Sequence, residues 1–283
     1  MMRPPCLVLA LIAPAVFAFS VRAQTPPTLA GESAAVSPAD YLASLQRAAD
    51  AGNVKAELNL GAAYAGGGPG VNPDPVEAFR WYRKAADSGD AMGQFMVGNC
   101  YEKGFGISPD LAEAARWFQK SAEQNNPLAQ MTLGMAYSRG QGVQTNRAEA
   151  EKWLTKAAES GHPFPQYVLG LFYWGRPGAK DGDLAATWFH KAADQGQCDA
   201  EFLMGECYRL GRGVNKDLAE AYKWESLASR SRPDTKISQT LELDLSPAQK
   251  AEGLRRADAF QPHRSKVNIP GMPERLPPAN SVQ

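Results

Sequence analysis

The chain has little of what usually announces a chemistry. Its 283 residues include four cysteines and three histidines. There is no Cys-x-x-Cys and no His-Glu-x-x-His, so no metal site has a motif behind it. The usual serine-acylation signatures, Ser-x-x-Lys, Lys-Thr-Gly and Gly-x-Ser-x-Gly, do not occur either. An excess of charge is also missing, with 30 basic residues against 30 acidic ones. Without a concentrated basic face the chain cannot displace the counterions of a nucleic acid, so no nucleic-acid partner is expected.

Long hydrophobic runs are nearly absent. The exception is Leu7 to Phe19, broken by Pro14, which follows the basic start Met1 to Arg3 and precedes Val21-Arg22-Ala23. Basic, apolar and small-x-small segments in that order predict a secretory signal peptide over 1–23, with Gln24 the first mature residue. The run is too short to span a bilayer. Cys6 precedes the run, so it cannot serve as a lipoprotein acceptor at its end. The mature chain is therefore expected to be exported, periplasmic or extracellular, and to carry no membrane span. Losing Arg3 and Arg22 leaves 28 basic residues against 30 acidic, a net charge of −2. Three cysteines remain. Cys198 and Cys207 fall on one predicted helix about 13 Å apart, too far to bond, and all three read as small buried hydrophobes.

What the chain does have is a beat. Trp81, Trp117, Trp153, Trp188 and Trp224 recur at steps of 36, 36, 35 and 36 residues. The series Gly61, Gly98, Gly134, Gly170, Gly205 and Tyr64, Tyr101, Tyr137, Tyr173, Tyr208 keep time with it. Such self-similarity is the mark of a solenoid, one supersecondary unit stacked on copies of itself. In residues 91–122, Ala91 to Tyr101 has helical character, with Gly98 where two helices must approach closely. Gly104-Phe105-Gly106 ends that helix, Asp110 offers an N-cap, and Leu111 to Lys120 forms a second helix. Ala114, Trp117, Ser121 and Ala122 make its inward stripe. Gly-x-Gly-Val recurs at Gly68, Gly140 and Gly211, with Gly104 opening a variant. No third glycine and no Gly-Lys-Ser/Thr follows, so these are helix-joining turns rather than phosphate cradles, and no cofactor is expected.

The consensus Ala-x-x-x-Leu-Gly-x-x-Tyr-x-x-Gly-x-Gly-Val…Asp-x-x-x-Ala-x-x-Trp-x-x-Lys-Ala resembles the Sel-one-like repeat (SLR), a relative of the tetratricopeptide repeat, over about residues 48–229. The resemblance implies an all-α, right-handed α/α superhelix of five units that serves as an adaptor for protein complexes. Repeat four departs from it, with Trp174 to Ala179 in place of the usual loop. Some secreted SLR proteins carry a disulfide in each repeat and bind β-lactams; this chain lacks that pairing.

The ends read differently. Gln24 to Val36 is a Pro/Ala-rich leader. Ser37-Pro38-Ala39-Asp40 opens a capping helix to Ala51, so the solenoid with its cap spans 37–230. Ser246-Pro247-Ala248-Gln249 opens another helix, reaching about Phe260 within a C-terminal capping region 231–260. Five prolines from Gln261 onward make 261–283 an extended tail.

In tetratricopeptide-like stacks the first helix of each unit lines the inner face. Positions six and three before the column glycine, and one and four after it, are then inner. In repeats three and four they are Leu128, Met131, Met135 and Ser138, then Phe164, Tyr167, Leu171 and Trp174. An apolar centre between polar ends resembles an interface core with its rim. Leu128, Met131, Met135, Phe164, Tyr167, Leu171 and Trp174 are therefore the expected binding residues, for a protein or peptide partner. Packing explains the position three before glycine equally well, because it is apolar in every repeat. The tail, with Val267, Ile269, Met272 and Leu276, is a further possible occupant of the groove, or the recognition element itself. An enzyme is not expected; a cell-envelope hydrolase or a β-lactam-binding protein is the runner-up.

Overall fold

A computed structural model describes residues 37–67, 70–176, 178–232, 237 and 239–263. The expected signal peptide and leader lie outside the described residues, as does the tail beyond His263. All regular structure among the described residues is helical. The chain divides into two compact units between Asn146 and Arg147. The first holds α1 (Pro38–Asp50), α2 (Val54–Gly66), α3 (Pro75–Asp87), α4 (Ala91–Lys103), α5 (Leu111–Glu123) and α6 (Pro127–Arg139). The second holds α7 (Arg147–Glu159), α8 (Pro163–Trp174), α9 (Ala179–Ala193), α10 (Cys198–Leu210), α11 (Leu218–Ser231), α12 (Gln239–Asp244) and α13 (Pro247–Ala259). Paired helices from five repeats are what the periodicity predicts. The second helix of repeat two runs to Glu123, one turn past its expected end at Lys120.

Local chemistry sets the helix boundaries. Asp74, Asp110 and Asp217 each accept two backbone N–H bonds at the start of a second helix. Their own N–H groups, and that of Asn146, donate to the carbonyls of Tyr64, Tyr101, Tyr208 and Tyr137 at 2.8–3.2 Å. The tyrosine column is thus tied by its backbone to the next helix start. Gly67, Gly104, Gly140 and Gly211 close the first helices in the left-handed conformation.

The second glycine of each loop has a different task. A Cβ on Gly106, Gly142 or Gly213 would overlap a carbonyl oxygen near the start of the preceding second helix, that of Pro75, Leu111 or Gly182. All three also have positive φ. The loop of one repeat can therefore sit directly on the backbone of the repeat before it.

The tryptophans are wedges. Trp117 is buried with Ala78, Tyr82 and Ala86 of α3 and with Val97 and Cys100 of α4. Trp81 packs with Leu60 of α2 and Ala49 of α1. Hence α1 stands where the second helix of a preceding repeat would be. The Trp-x-x-Lys spacing has a reason too. Lys84, Lys120, Lys156 and Lys191 place their ammonium groups 4.0–5.0 Å from the indole centroids of their own repeats. In repeat five, where Leu227 replaces that lysine, Lys223 approaches Trp224 at 4.2 Å instead.

In repeats one, two, four and five the residue after the tryptophan position meets the column glycine. A Cβ on Gly61, Gly98 or Gly170 would lie 2.5–2.6 Å from ring carbons of Tyr82, Phe118 or Phe189. In repeat five that place belongs to Glu225, which is fully buried.

At the C-terminal end α13 packs on α11, opened by a capping box in which Ser246 and Gln249 exchange both bonds. Phe260 sets its ring edge-on to Trp224 at 5.2 Å. The His263 amide donates to the Asp194 carbonyl at 2.6 Å.

Candidate binding surface

The seven expected binding residues divide by exposure. Leu128 (4 %), Met131 (0 %), Phe164 (4 %), Tyr167 (3 %) and Leu171 (6 %) are buried and present no open surface, against the expectation of an exposed patch. Met135 and Trp174 are half-exposed. The physical reason is clearest in α8, where ten of twelve residues are buried between α7 and α9. Tyr167 lies 6.2 Å from Phe189 of α9, Trp174 meets the same ring edge-on at 5.9 Å, and Phe164 leans on Tyr167. A helix enclosed on both flanks has no free apolar stripe, because almost its whole circumference is interior.

Repeat four shows how its unusual loop is held. Gly175 does not adopt the left-handed conformation, and Gly178 gives α9 no side-chain cap. Arg212 of repeat five supplies the missing bonds. It donates to the Trp174 and Arg176 carbonyls at 2.6 and 2.7 Å and lies 4.0 Å from the Trp174 ring centroid. A cation at a helix C-terminus satisfies free carbonyls and suits the dipole.

A polar column escaped the sequence reading. Four residues before each column glycine stand Glu57, Gln94, Gln130, Gln166 and Glu201, all buried. Lys84 pairs with Glu57 at 3.3 Å. Gln124 donates to Gln94 and Gln195 to Gln166, both at 2.8 Å. Gln130 donates to the Ala122 carbonyl at 3.2 Å. These bonds tie first helices to the ends of second helices. The signal was present, since a Glu or Gln recurs there on the same beat as the tryptophans.

Groups that might suggest catalysis have structural partners. His162 accepts the Phe164 amide as the N-cap of α8 at 3.3 Å. His190 pairs with Asp194 at 2.9 Å. Burial pushes the Cys100 and Cys207 thiols up to about 12, so both stay protonated and unreactive. Cys198 is half-buried, not fully buried as expected, and donates to the Ala228 carbonyl at 3.3 Å. Glu151 and Glu149 accept from the Tyr173 hydroxyl and the Trp153 indole at 2.9 and 3.0 Å. Burial, and then that bond to Glu151, lift Tyr173 to about 12. Among the described residues no three His, Cys, Asp or Glu side chains gather as a metal site, and no helix is long and apolar enough to cross a membrane.

One cavity opens within the first unit, about 210 Å³ in volume. Ala114, Ala115 and Phe118 of α5 and Met135 and Ala136 of α6 form its apolar wall. Asn99, Glu102 and Lys103 of α4 and Arg139 of α6 supply its polar lining. Of these, Asn99, Glu102 and Met135 occupy positions that the sequence reading expected on the inner face.

Comparison with known proteins agrees with the geometry. The Sel1 repeat model matches residues 54–90, 91–126, 127–162, 166–197 and 198–231. A Sel1 repeat protein from Oxalobacter formigenes is 30 % identical, covering 78 % of this chain and 93 % of that one, with a TM-score of 0.63. The protein c5321, a protective antigen present in uropathogenic Escherichia coli strains and displaying an SLR fold, is 24 % identical. That likeness covers 80 % of this chain and 56 % of c5321, with a TM-score of 0.48. The alginate biosynthesis protein AlgK of Azotobacter vinelandii is 36 % identical over 78 residues, which are 27 % of this chain and 17 % of AlgK.

Proposed function

Because the chain belongs to the Sel1 repeat family, whose members are generally protein–protein interaction modules, we propose that it is an exported, non-catalytic scaffold capturing a protein or peptide on its first helices. One observation carries this reading. The columns that the repeats share (glycine, tyrosine, tryptophan and the buried Glu/Gln) are used in packing. The positions one and four residues after the column glycine are not shared. They read Ala62, Asn99, Met135, Leu171, Glu206 and Ala65, Glu102, Ser138, Trp174, Arg209. Shared positions make the stack, and unshared ones make it specific. Met135 and Trp174 supply accessible apolar surface there, while the other five expected residues hold the helices in place.

Capture from envelope extract, comparing the wild type with Met135→Ala and Trp174→Ala, tests this. Both variants should keep their helical circular dichroism and lose the partner. Equal capture by all three proteins, or turnover of a chromogenic β-lactam or of peptidoglycan, refutes the reading. Export is tested separately by fusing residues 1–36 to alkaline phosphatase, which is active only outside the cytoplasm; an inactive fusion removes that part.

A further inference from the structure

Four of the five column tryptophans are buried; the exception is Trp188, which is half-exposed. What covers the others shows why. Trp81 is closed by α1. Arg83, two residues after Trp81, lies 4.9 Å from the Trp117 centroid. His190, two after Trp188, sets its ring edge-on to Trp224 at 5.7 Å. Trp153 is flanked instead by its own Lys152 and Lys156 at 5.2 and 4.8 Å. Ahead of Trp188 the corresponding residue is Thr155, which is short and hydrogen-bonded to Tyr173. Among the described residues Lys191, at 4.0 Å, is the one cation or ring against the Trp188 indole. Part of that indole therefore stays open.

The chain itself passes close to this ring as it leaves the C-terminal cap. Phe260 meets Trp224, Pro262 lies beside Gly196, and the His263 amide donates to the carbonyl of Asp194 at the end of α9. From repeat five the path has thus turned back onto repeat four. Asp194 stands six residues beyond Trp188, about 9 Å along the helix axis. Three extended residues, at about 3.3 Å each, cover that distance. After His263 come Arg264, Ser265 and Lys266, and then the uncharged stretch Val267-Asn268-Ile269-Pro270.

We propose that the chain's own segment 264–283 folds back along α9 and covers Trp188 with Val267, Ile269 and Pro270. These are the first apolar residues able to reach the indole. The stretch carries no charge, so it meets Lys191 without repulsion. A proline-bearing segment loses little conformational freedom when it lies on an aromatic ring. Tethering at His263 gives it an effective concentration on the order of millimolar, so that even a weak contact is mostly made. The inference does not rest on the scaffold reading, because it concerns a second helix and not the first helices.

The test is hydroxyl-radical footprinting read by mass spectrometry, on the full chain and on a chain ending at His263. Trp188 should oxidise severalfold faster in the shortened chain. Trp174, also half-exposed, should oxidise equally in both and serves as the control. Val267→Asp with Ile269→Asp in the full chain should unmask Trp188 as the deletion does, and it serves if the shortened chain does not fold. Met272→Asp with Leu276→Asp, farther along, should leave Trp188 protected. Equal oxidation of Trp188 in the full and shortened chains overturns the proposal and leaves the ring open to an outside partner. Protection of Trp174 in place of Trp188 overturns it too, since the segment would then lie on the first helices. Protection of Trp188 that grows with chain concentration overturns it in favour of a second copy. Whether Trp174→Ala loses the captured partner is read independently, so the strap can fall while the scaffold reading stands.

Discussion

Gly106→Ala is the sharpest test of how the repeats fit together. At φ +72 the new residue is held in the left-handed region, which costs an L-residue about 1–2 kcal/mol. Its Cβ also overlaps the Pro75 carbonyl oxygen and lies 2.6 Å from the carbonyl carbon and 3.0 Å from the Phe79 Cβ. Backbone cannot rotate aside as a side chain does, so the loop must lift from α3, an overpacking loss of about 1–3 kcal/mol. Together these give roughly 2–5 kcal/mol. Gly52→Ala is the control, because Gly52 has φ +82 and nothing within 4 Å of the place a Cβ would take. It should lose only the conformational part. Circular dichroism melting reads both, at about 2–4 °C per kcal/mol for a domain of this size. Gly106→Ala should melt well below Gly52→Ala. Equal shifts would show that the loop does not bear on the helix before it, and the stacking account would fail.

Trp117→Ala empties the wedge between α3 and α4 and should cost about 3–5 kcal/mol in urea unfolding; a loss under about 1 kcal/mol would place the indole outside the core. Arg212→Gln removes two charge-assisted bonds from the end of α8 and should cost about 1.5–3 kcal/mol, with faster amide exchange confined to residues near 171–176. Unchanged exchange there would end the idea that repeat five closes repeat four. The C-terminal cap should loosen in acid. Burial raises Asp217, but the Glu220 amide and the Arg256 guanidinium outweigh it and hold it below the ordinary carboxylate range. Bonds from Arg255 and then Arg256 hold Glu252 at about 2. Both folded values are depressed, so the stabilisation is complete above about pH 4 and disappears as pH falls through the folded values. Amide exchange in α13 should rise between pH 4 and about 2, and Arg255→Gln together with Arg256→Gln should remove that dependence. A pH-independent α13 would contradict the network.

What could be read from the residues alone was whatever depends on near neighbours. Asp110, Gly104 and the Ser246–Gln249 box mark helix ends by bonds within a few residues, and the structure forms them. The inner face was harder, because a period of 3.6 says which side chains share a stripe but not how many neighbours enclose the helix. Tyr167 and Leu171 lie on an apolar stripe whether one flank or several are covered. A better cue lay in α8 itself, whose sequence from Pro163 to Trp174 has Gln166 as its one amide-bearing residue. A helix apolar all round is an interior helix. The buried Glu/Gln column was missed for the opposite reason. Polar residues read as solvated by default, and their partners, Lys84, Gln124 and Gln195, stand 27 to 30 residues away.

Repetition therefore constrains this chain unevenly. Where a side chain must fit the backbone of its neighbour, as at Gly106, Gly142 and Gly213 in repeats two, three and five, the residue is glycine in all three. Where it meets only a side chain of the next repeat, substitutions survive, because the facing group can adjust. The position two before tryptophan is of the second kind. Phe79 places a ring against Tyr101, Glu151 a carboxylate against the Tyr173 hydroxyl, and Ala115 leaves a hollow. Units built to one motif thus present different surfaces. Specificity for a partner can arise at such places without disturbing the columns that keep the helices stacked, because the free energy of stacking is carried by residues that the variation does not touch.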